Sequence, residues 1–434
     1  MKLNNFLAFA FSLFTFLCFS QYTLSIGQAI ELALKNNHSI LISKNDASIA
    51  QNNYTPGNAG MLPQLNLNAG GTWANNNVRQ ELSNGSIIDK PNAGSTGLNS
   101  GLALTWTLFD GMKMFTTYEK LSELNSSSEV ELKIEIENTV SKVMNQYYFL
   151  VKQNQLVKSL ESDLALYKER VTIAQTKFNI GSAAKTDLLQ AKVDMNEVQS
   201  IYLTQQNILR EYKFALNQTL ARPTETAFEV SNNISISYHP KLEDLKKTVI
   251  DSNNQLNFYQ RNIHLNQLSL KENQSNYLPK LVANANYNFT QSKNQAGFLL
   301  LNQNLGLNAG LTLSWNIFNG GNDARQIQNS KLSIENSQLL FEQTKSIIEL
   351  SLLKAYLAYN NAKEILKLEE ENLSLAKENI EIAMERFRLG SSSTLELKAA
   401  QKSYEDAQVR LVNARYDAKT NEIELMRLNG MLIK

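Results

Sequence analysis

The chain has 434 residues, 43% of them hydrophobic and 19% charged, which is ample material for a large core. Lys plus Arg (42) nearly equals Asp plus Glu (41), so the chain lacks the excess of positive charge that a nucleic acid or polyanionic substrate would call for. One cysteine, Cys18, and three histidines, His38, His239 and His264, exclude a disulfide framework, a cysteine zinc site and an iron–sulfur cluster.

Residues 1–20 read as a secretory signal peptide. Lys2 supplies the positive start, the apolar run from Phe6 to Phe19 is broken only by Ser12 and Thr15, and Ser20 is a small residue before Gln21. Cleavage there takes one positive charge and leaves the balance at zero. A lipidated Cys18 is the alternative, and the bulky Leu17 before it speaks against that. The run is too short to span a bilayer and no later stretch of 18 apolar residues exists, so no helical membrane span is expected.

Laid against itself, the chain is a duplication. Asn37, Ile40 and Leu62-Pro63 match Asn253, Leu256 and Leu278-Pro279 at a shift of 216 residues, whereas Trp106-Thr107-Leu108-Phe109-Asp110-Gly111 matches Trp315-Asn316-Ile317-Phe318-Asn319-Gly320 at 209. Phe178-x-x-Gly181 and Phe387-x-x-Gly390 keep the shift of 209. The change in shift falls within 73–98 and 289–305, which marks those segments as loops, at about 74–97 and 290–304. The expected organisation is a first repeat over 21–221, a linker at 222–237 and a second repeat over 238–434. Pro223 lies in the linker, and His239-Pro240 follows it.

Glycine is absent from 112–180, 182–296 and 322–389, and no proline interrupts 92–222 or 280–434, so long helices are expected. The first runs from about Met112 to Phe178 and its repeat from Gly321 to Phe387, near 67 residues each. Val157, Leu160, Leu164, Tyr167, Val171, Ala174 and Phe178 alternate spacings of three and four, and Leu188, Ala191, Met195, Val198, Tyr202, Leu209, Tyr212 and Leu216 continue the series with Gln205 in one slot. Leu397, Ala400, Tyr404, Ala407, Leu411, Ala414, Ala418, Leu425 and Leu428 repeat it, with Asn421 as the polar member. A repeat of 3.5 residues predicts antiparallel helical hairpins in a left-handed supercoil, with tips at Gly181 and Gly390.

Around the loops the period becomes two. Leu98, Leu102, Leu104, Trp106 and Leu108 alternate with Asn99, Gly101, Ala103, Thr105 and Thr107, and Leu305, Leu307, Leu311, Leu313, Trp315 and Ile317 alternate with Gly306, Asn308, Thr312, Ser314 and Asn316. With Leu65, Leu67, Ala69 and Trp73, and with Leu281, Ala283, Ala285, Tyr287 and Phe289, each repeat supplies one β-hairpin, at about 63–109 and 279–318. Strands of about ten residues with one Leu/Trp face and one Asn/Thr/Ser/Gly face match a transmembrane barrel. A soluble sheet with one buried face gives the same alternation; the secretory signal and the aromatic ends favour the membrane. In that reading Leu102, Leu104, Trp106, Leu311, Leu313 and Trp315 face lipid. Four strands cannot close a barrel, because membrane barrels need about eight, so the chain must oligomerise.

These residues together resemble the TolC-like outer-membrane efflux protein family. The resemblance is carried by Leu24-Ser25-Ile26-Gly27-Gln28-Ala29-Ile30-Glu31-Leu32-Ala33-Leu34-Lys35-Asn36-Asn37, the paired Leu-Pro strand starts, the paired Trp-x-x-Phe-[Asp/Asn]-Gly junctions, and the tips Phe178-Asn179-Ile180-Gly181 with Asp187-Leu188 and Phe387-Arg388-Leu389-Gly390 with Glu396-Leu397. It implies a mixed α and β membrane protein. Four strands from each of three chains would form a 12-stranded barrel in the outer membrane, continued by a coiled-coil tunnel across the periplasm. It also implies a periplasmic adaptor (membrane fusion) protein gripping tips marked by Phe178, Gly181, Phe387 and Gly390, an inner-membrane transporter that drives export, no cofactor and no catalysis by the channel itself.

The resemblance places acidic residues at the periplasmic gate just beyond the second tip. Glu396 fills the first position, but the one three residues on is Ala399, so one acidic ring is expected; a plain helix-end carboxylate is the other reading of Glu396. Asp187, its first-repeat counterpart, would bond neighbouring helices or cap the helix after Gly181. The three histidines show no ligand spacing, and Glu369-Glu370-Glu371 and Lys246-Lys247 read as solvated helix faces. The chain lacks a glycine-rich phosphate loop, a nucleophile elbow and a His-carboxylate set, so no enzyme is expected. The alternative to an export duct is a secreted periplasmic coiled-coil scaffold whose leucine-faced strands are buried against its own helices.

Overall fold

A computed structural model describes residues 23–433; the signal peptide and Cys18 lie outside the described residues. In chain order the elements are β1 (Thr23–Leu24), α1 (Ile26–Asn36), α2 (His38–Asn53), β2 (Gln64–Glu81), β3 (Ile87–Asp110), α3 (Lys113–Asn179), α4 (Lys185–Thr219), β4 (Glu229–Val230), α5 (Leu242–Ser252), α6 (Asn254–Gln274), β5 (Lys280–Asn294), β6 (Leu301–Ser314), α7 (Asn322–Arg388) and α8 (Thr394–Leu428). Both α3 and α7 have 67 residues, and both α4 and α8 have 35. Two compact units form, one from residues 43–132 and 254–346, the other from 23–42, 133–253 and 347–433, so each draws on both expected repeats.

The first unit holds a four-stranded antiparallel sheet in the order β2-β3-β5-β6. Asn66, Ala103, Asn286 and Asn308 stand side by side in one row, and Leu67, Leu102, Tyr287 and Leu307 in the next. The alternation therefore stays in register across all four strands. Strands of 14 to 24 residues exceed the expected ten, and most of 74–97, expected as a loop, is strand closed by a tight turn at Leu82–Ser86. The run Asn75-Asn76-Asn77 hides the pattern because both faces there are polar. Pro91, which cannot donate to a ladder, sits where the register shifts, and the amide of Asn92 (φ 54°) is satisfied by Asn77 Oδ1 at 2.8 Å.

The Trp-x-x-Phe-[Asp/Asn]-Gly motif is a strand-to-helix elbow. Trp106 Nε1 donates to the carbonyl of Met61 (2.9 Å) and Trp315 Nε1 to that of Tyr277 (3.0 Å). The Asp110 carboxylate accepts from Met114 N at 3.1 Å, closing an orphan amide of the first turn of α3. Gly111 has φ +72°, and a Cβ on it would lie 2.5 Å from the Ser275 carbonyl oxygen, so only glycine fits.

In the second unit, α1 is capped by Ser25, whose Oγ accepts from Gln28 N while the Gln28 side chain returns to Ser25 N. Its small residues Ala29 and Ala33 pack with Leu24, Val143, Tyr147, Leu150, Leu216, Phe228, Val230 and Ile423 in a buried core. Tyr147 Oη donates to the Leu24 carbonyl (2.9 Å) and accepts from Ser231 N (3.2 Å), binding the parallel β1-β4 pair to α3. The inter-repeat segment is thus built into the core, and buried Glu422 holds it further by accepting from Ser237 N and Tyr238 N.

Candidate functional site

Each helical hairpin turns through a glycine in the left-handed region: Gly181 and Gly390 both have φ +78°. The turns close alike. Ser182 N donates to the Lys177 carbonyl (2.8 Å) and Ser391 N to that of Arg386 (2.9 Å), with each serine hydroxyl donating to the same carbonyl. A Cβ on either glycine would meet open space, so the requirement is conformational and not steric. The two tip phenylalanines differ. Phe178 is 37% exposed, whereas Phe387 is 5% exposed and packs against Ile380, Met384, Leu397 and Ala400. Lys177 joins the hairpins: its Nζ donates to the Phe387 carbonyl (2.8 Å) and lies 4.1 Å from that ring's centroid.

Glu396 is exposed in the first turn of α8, where Ser393 Oγ accepts from its amide; its carboxylate accepts from Ser392 Oγ (2.8 Å) and stands 3.9 Å from Arg386. Asp187 is half-buried in the first turn of α4, whose N-cap, Ala184, has no side chain able to cap. Asp187, Arg170, Lys177 and Ser393 line one cleft of about 460 Å³ between the tips.

Behind the tips lies a buried polar cluster that hydrophobic periodicity did not single out. Arg170 (1% exposed) forms an ion pair with Asp194 (4% exposed) at 3.0 Å, offset from hydrogen-bond alignment, and Arg170 Nη1 donates to Gln401 Oε1 at 3.2 Å. Gln190 (2.8 Å) and Lys398 (3.0 Å) donate to the other oxygen of Asp194. Burial opposes ionisation of Asp194, but these two donors and the Arg170 charge outweigh it and hold its pKa below the usual value. Further along α3, Asp163 accepts from Gln408 Nε2 at 3.0 Å. Burial, with the charge of Glu405 added, pushes the Asp163 carboxyl up to about 7, and burial raises Glu405 too. These side chains do carry a period: Asp163, Arg170 and Lys177 on α3, Asp187 and Asp194 on α4, and Gln401, Gln408, Arg415 and Glu422 on α8 each recur at seven residues. A polar heptad reads as a solvated face until a second hairpin covers it. The expected polar intruder Gln205 is likewise paired, donating to Gln153.

On the sheet, Leu102, Leu104, Trp106, Leu311 and Leu313 fall on one face by register, and Trp315, next past the end of β6, is exposed. Leu65, Leu67, Leu102, Trp106, Leu305, Leu307, Leu311 and Leu313 are exposed as well, so the chain's own helices do not cover this face and the scaffold reading loses its basis. Strands β2 and β6 each leave one edge unpaired among the described residues.

The outer membrane efflux protein family model matches residues 29–222 and 247–431. The chain belongs to that family. Solved outer-membrane proteins share its fold. The Campylobacter jejuni CmeC outer membrane channel superposes with a TM-score of 0.80 at 17% identity, over 94% of this chain and 85% of that one. The Vibrio cholerae outer membrane protein VceC gives 0.77 at 15%, over 93% and 96%, and the Neisseria gonorrhoeae MtrE channel in its open state gives 0.72 at 15%, over 94% and 89%. No curated protein sequence matches. This efflux protein is an outer-membrane protein. Among the described residues no helix is long and apolar enough to cross a membrane. No group of three or more of their His, Cys, Asp and Glu side chains has metal-holding geometry; His264 Nδ1 lies 3.3 Å from a Glu123 carboxylate oxygen, a contact between helices.

Proposed function

We propose that three copies pair the free edge of β6 in one chain with that of β2 in the next, closing a barrel of twelve strands. In this arrangement the leucine and tryptophan face contacts lipid, the asparagine and threonine face lines water, and the helical hairpins continue the passage through the periplasm. The duct is passive. An inner-membrane transporter drives small molecules or proteins through it, and a periplasmic adaptor grips the helical tips, where Phe178 and the Gly181 and Gly390 turns offer surface and Phe387 supports the second turn from inside. Asp187 and Glu396, in the first turns after the tips, stand at the gate. The observation that carries this reading is a four-stranded sheet with two unpaired edges and an exposed leucine face, which no single chain can satisfy. Analytical ultracentrifugation in detergent tests it: a trimer is expected, and a monomer or dimer overturns it.

A further inference from the structure

The two strand hairpins end differently. Past the row that holds Trp73 and Thr96, the β2-β3 pair continues for seven more pairs, to Glu81 and Ile87, and its turn is Leu82-Ser83-Asn84-Gly85-Ser86. The β5-β6 pair stops in that same row, where Lys293 stands opposite Thr96 on one side and Leu301 on the other. Its turn carries Phe298-Leu299-Leu300, and with Leu301 all four side chains are exposed, Phe298 by 85%.

This turn is pinned. Gln295 N donates to the Gly94 carbonyl (3.0 Å) while Gly94 N donates to Gln295 Oε1 (3.0 Å), and Lys90 Nζ donates to the Gln295 carbonyl (2.6 Å). Asn294 N donates to the Leu300 carbonyl at 2.9 Å. These bonds hold the backbone of the turn to the sheet while its apolar side chains stay exposed by half or more. A run of four large exposed apolar residues is costly in water. Leu301 lies on the leucine face, in line with Leu305 and Leu307, and exposed Lys293 shares that face and row with it. An apolar tip with an ammonium beside it, continuous with a lipid-facing stripe, fits acyl chains under anionic headgroups.

We propose that the turn of the second strand hairpin, Phe298 to Leu301, is seated in the outer leaflet of the membrane as a lipid anchor, with Lys293 at the headgroups, while the first hairpin projects into water. The proposal rests on the barrel reading. Its test is a nitroxide spin label on Leu299→Cys in the full chain, reconstituted in vesicles of phosphatidylethanolamine and phosphatidylglycerol. Asn84→Cys and Leu307→Cys serve as water and lipid references, and the parent chain labelled in parallel gives the background. An oxygen-to-nickel accessibility ratio at Leu299→Cys severalfold above that at Asn84→Cys and near that at Leu307→Cys is the expected result. A label open to nickel places the turn in water, and one shielded from both reagents places it under another protein surface; either overturns the proposal. If Leu307→Cys itself is not open to oxygen, the barrel reading has failed and the anchor falls with it.

Discussion

At Asp163 a buried carboxyl sits beside Glu405 with one amide donor, Gln408, to stabilise its charge. Its folded-state pKa of about 7 lies above the ordinary 3.8, so the unfolded chain gives up this proton first. The packing of α3 against α8 should be tightest when Asp163 is protonated and should lose stability as pH rises from about 4 to about 7, levelling off above that. Asp163→Asn should flatten this slope, leaving the contribution of Glu405, and raise stability at neutral pH by ~1–3 kcal/mol. Thermal unfolding of both proteins across that range checks it, and parallel curves would show that the Asp163 charge is solvated after all. Arg170 offers the opposite case. Truncating it to Met leaves Asp194 buried with one fewer cation, at a cost of about 3–5 kcal/mol, whereas Arg170→Met with Asp194→Asn should recover much of the loss. Denaturant titration of the single and double variants decides; a double variant as unstable as the single would mean that the ion pair itself, and not relief of an unpaired charge, holds the site.

The same arithmetic bears on Glu396. Three copies near a threefold axis would attract cations, but Arg386 stands 3.9 Å from each carboxylate within its own chain and offsets part of that field. Glu396→Gln should weaken block by multivalent cations in planar-bilayer conductance without altering oligomer stability. Unchanged block would leave Glu396 as a carboxylate favoured by the start of α8.

Among the elements, the helical tips and the strand elbows use glycine for different reasons. At Gly181 and Gly390 an added side chain meets no atom, so Gly181→Val or Gly390→Val should cost only the ~1–2 kcal/mol of a left-handed β-branched residue. The variants should still assemble while export fails, measured as drug or protein efflux beside oligomer size. Full export by both would remove the tips from the docking surface. At Gly111 a Cβ meets backbone at 2.5 Å, and Gly111→Ala should lower the yield of assembled protein outright. The helices were legible in the sequence because uninterrupted heptads and missing glycines fix their ends within a residue or two: 112–178 was expected and Lys113–Asn179 is found. The strand extensions were not, since a strand with water on both faces has no apolar period to read. The buried polar cluster escaped for a related reason: its heptad is visible, but whether it faces water or another hairpin depends on partners far away in sequence.

For the whole molecule, the proposed barrel would cover the exposed leucine face and pair the strand edges left open among the described residues, and the turn around Gly85 gives its orientation a direct readout. An epitope inserted there should label on intact cells. Normal assembly without labelling would reverse the barrel.

The core that joins Leu24, Ala29 and Ala33 to Ile423 has a consequence for biogenesis. Contact order is high because the first and last elements of the described chain share one core, and β1 finds its partner only at Glu229–Val230. A chain crossing into the periplasm from its N-terminus cannot begin to bury these first residues until the segment through Val230 has been delivered, and their core is completed only when Ile423 arrives. Until then these N-terminal elements stay open to proteases and holdases, so the yield should depend on the competition between those two more than on the stability of any hairpin.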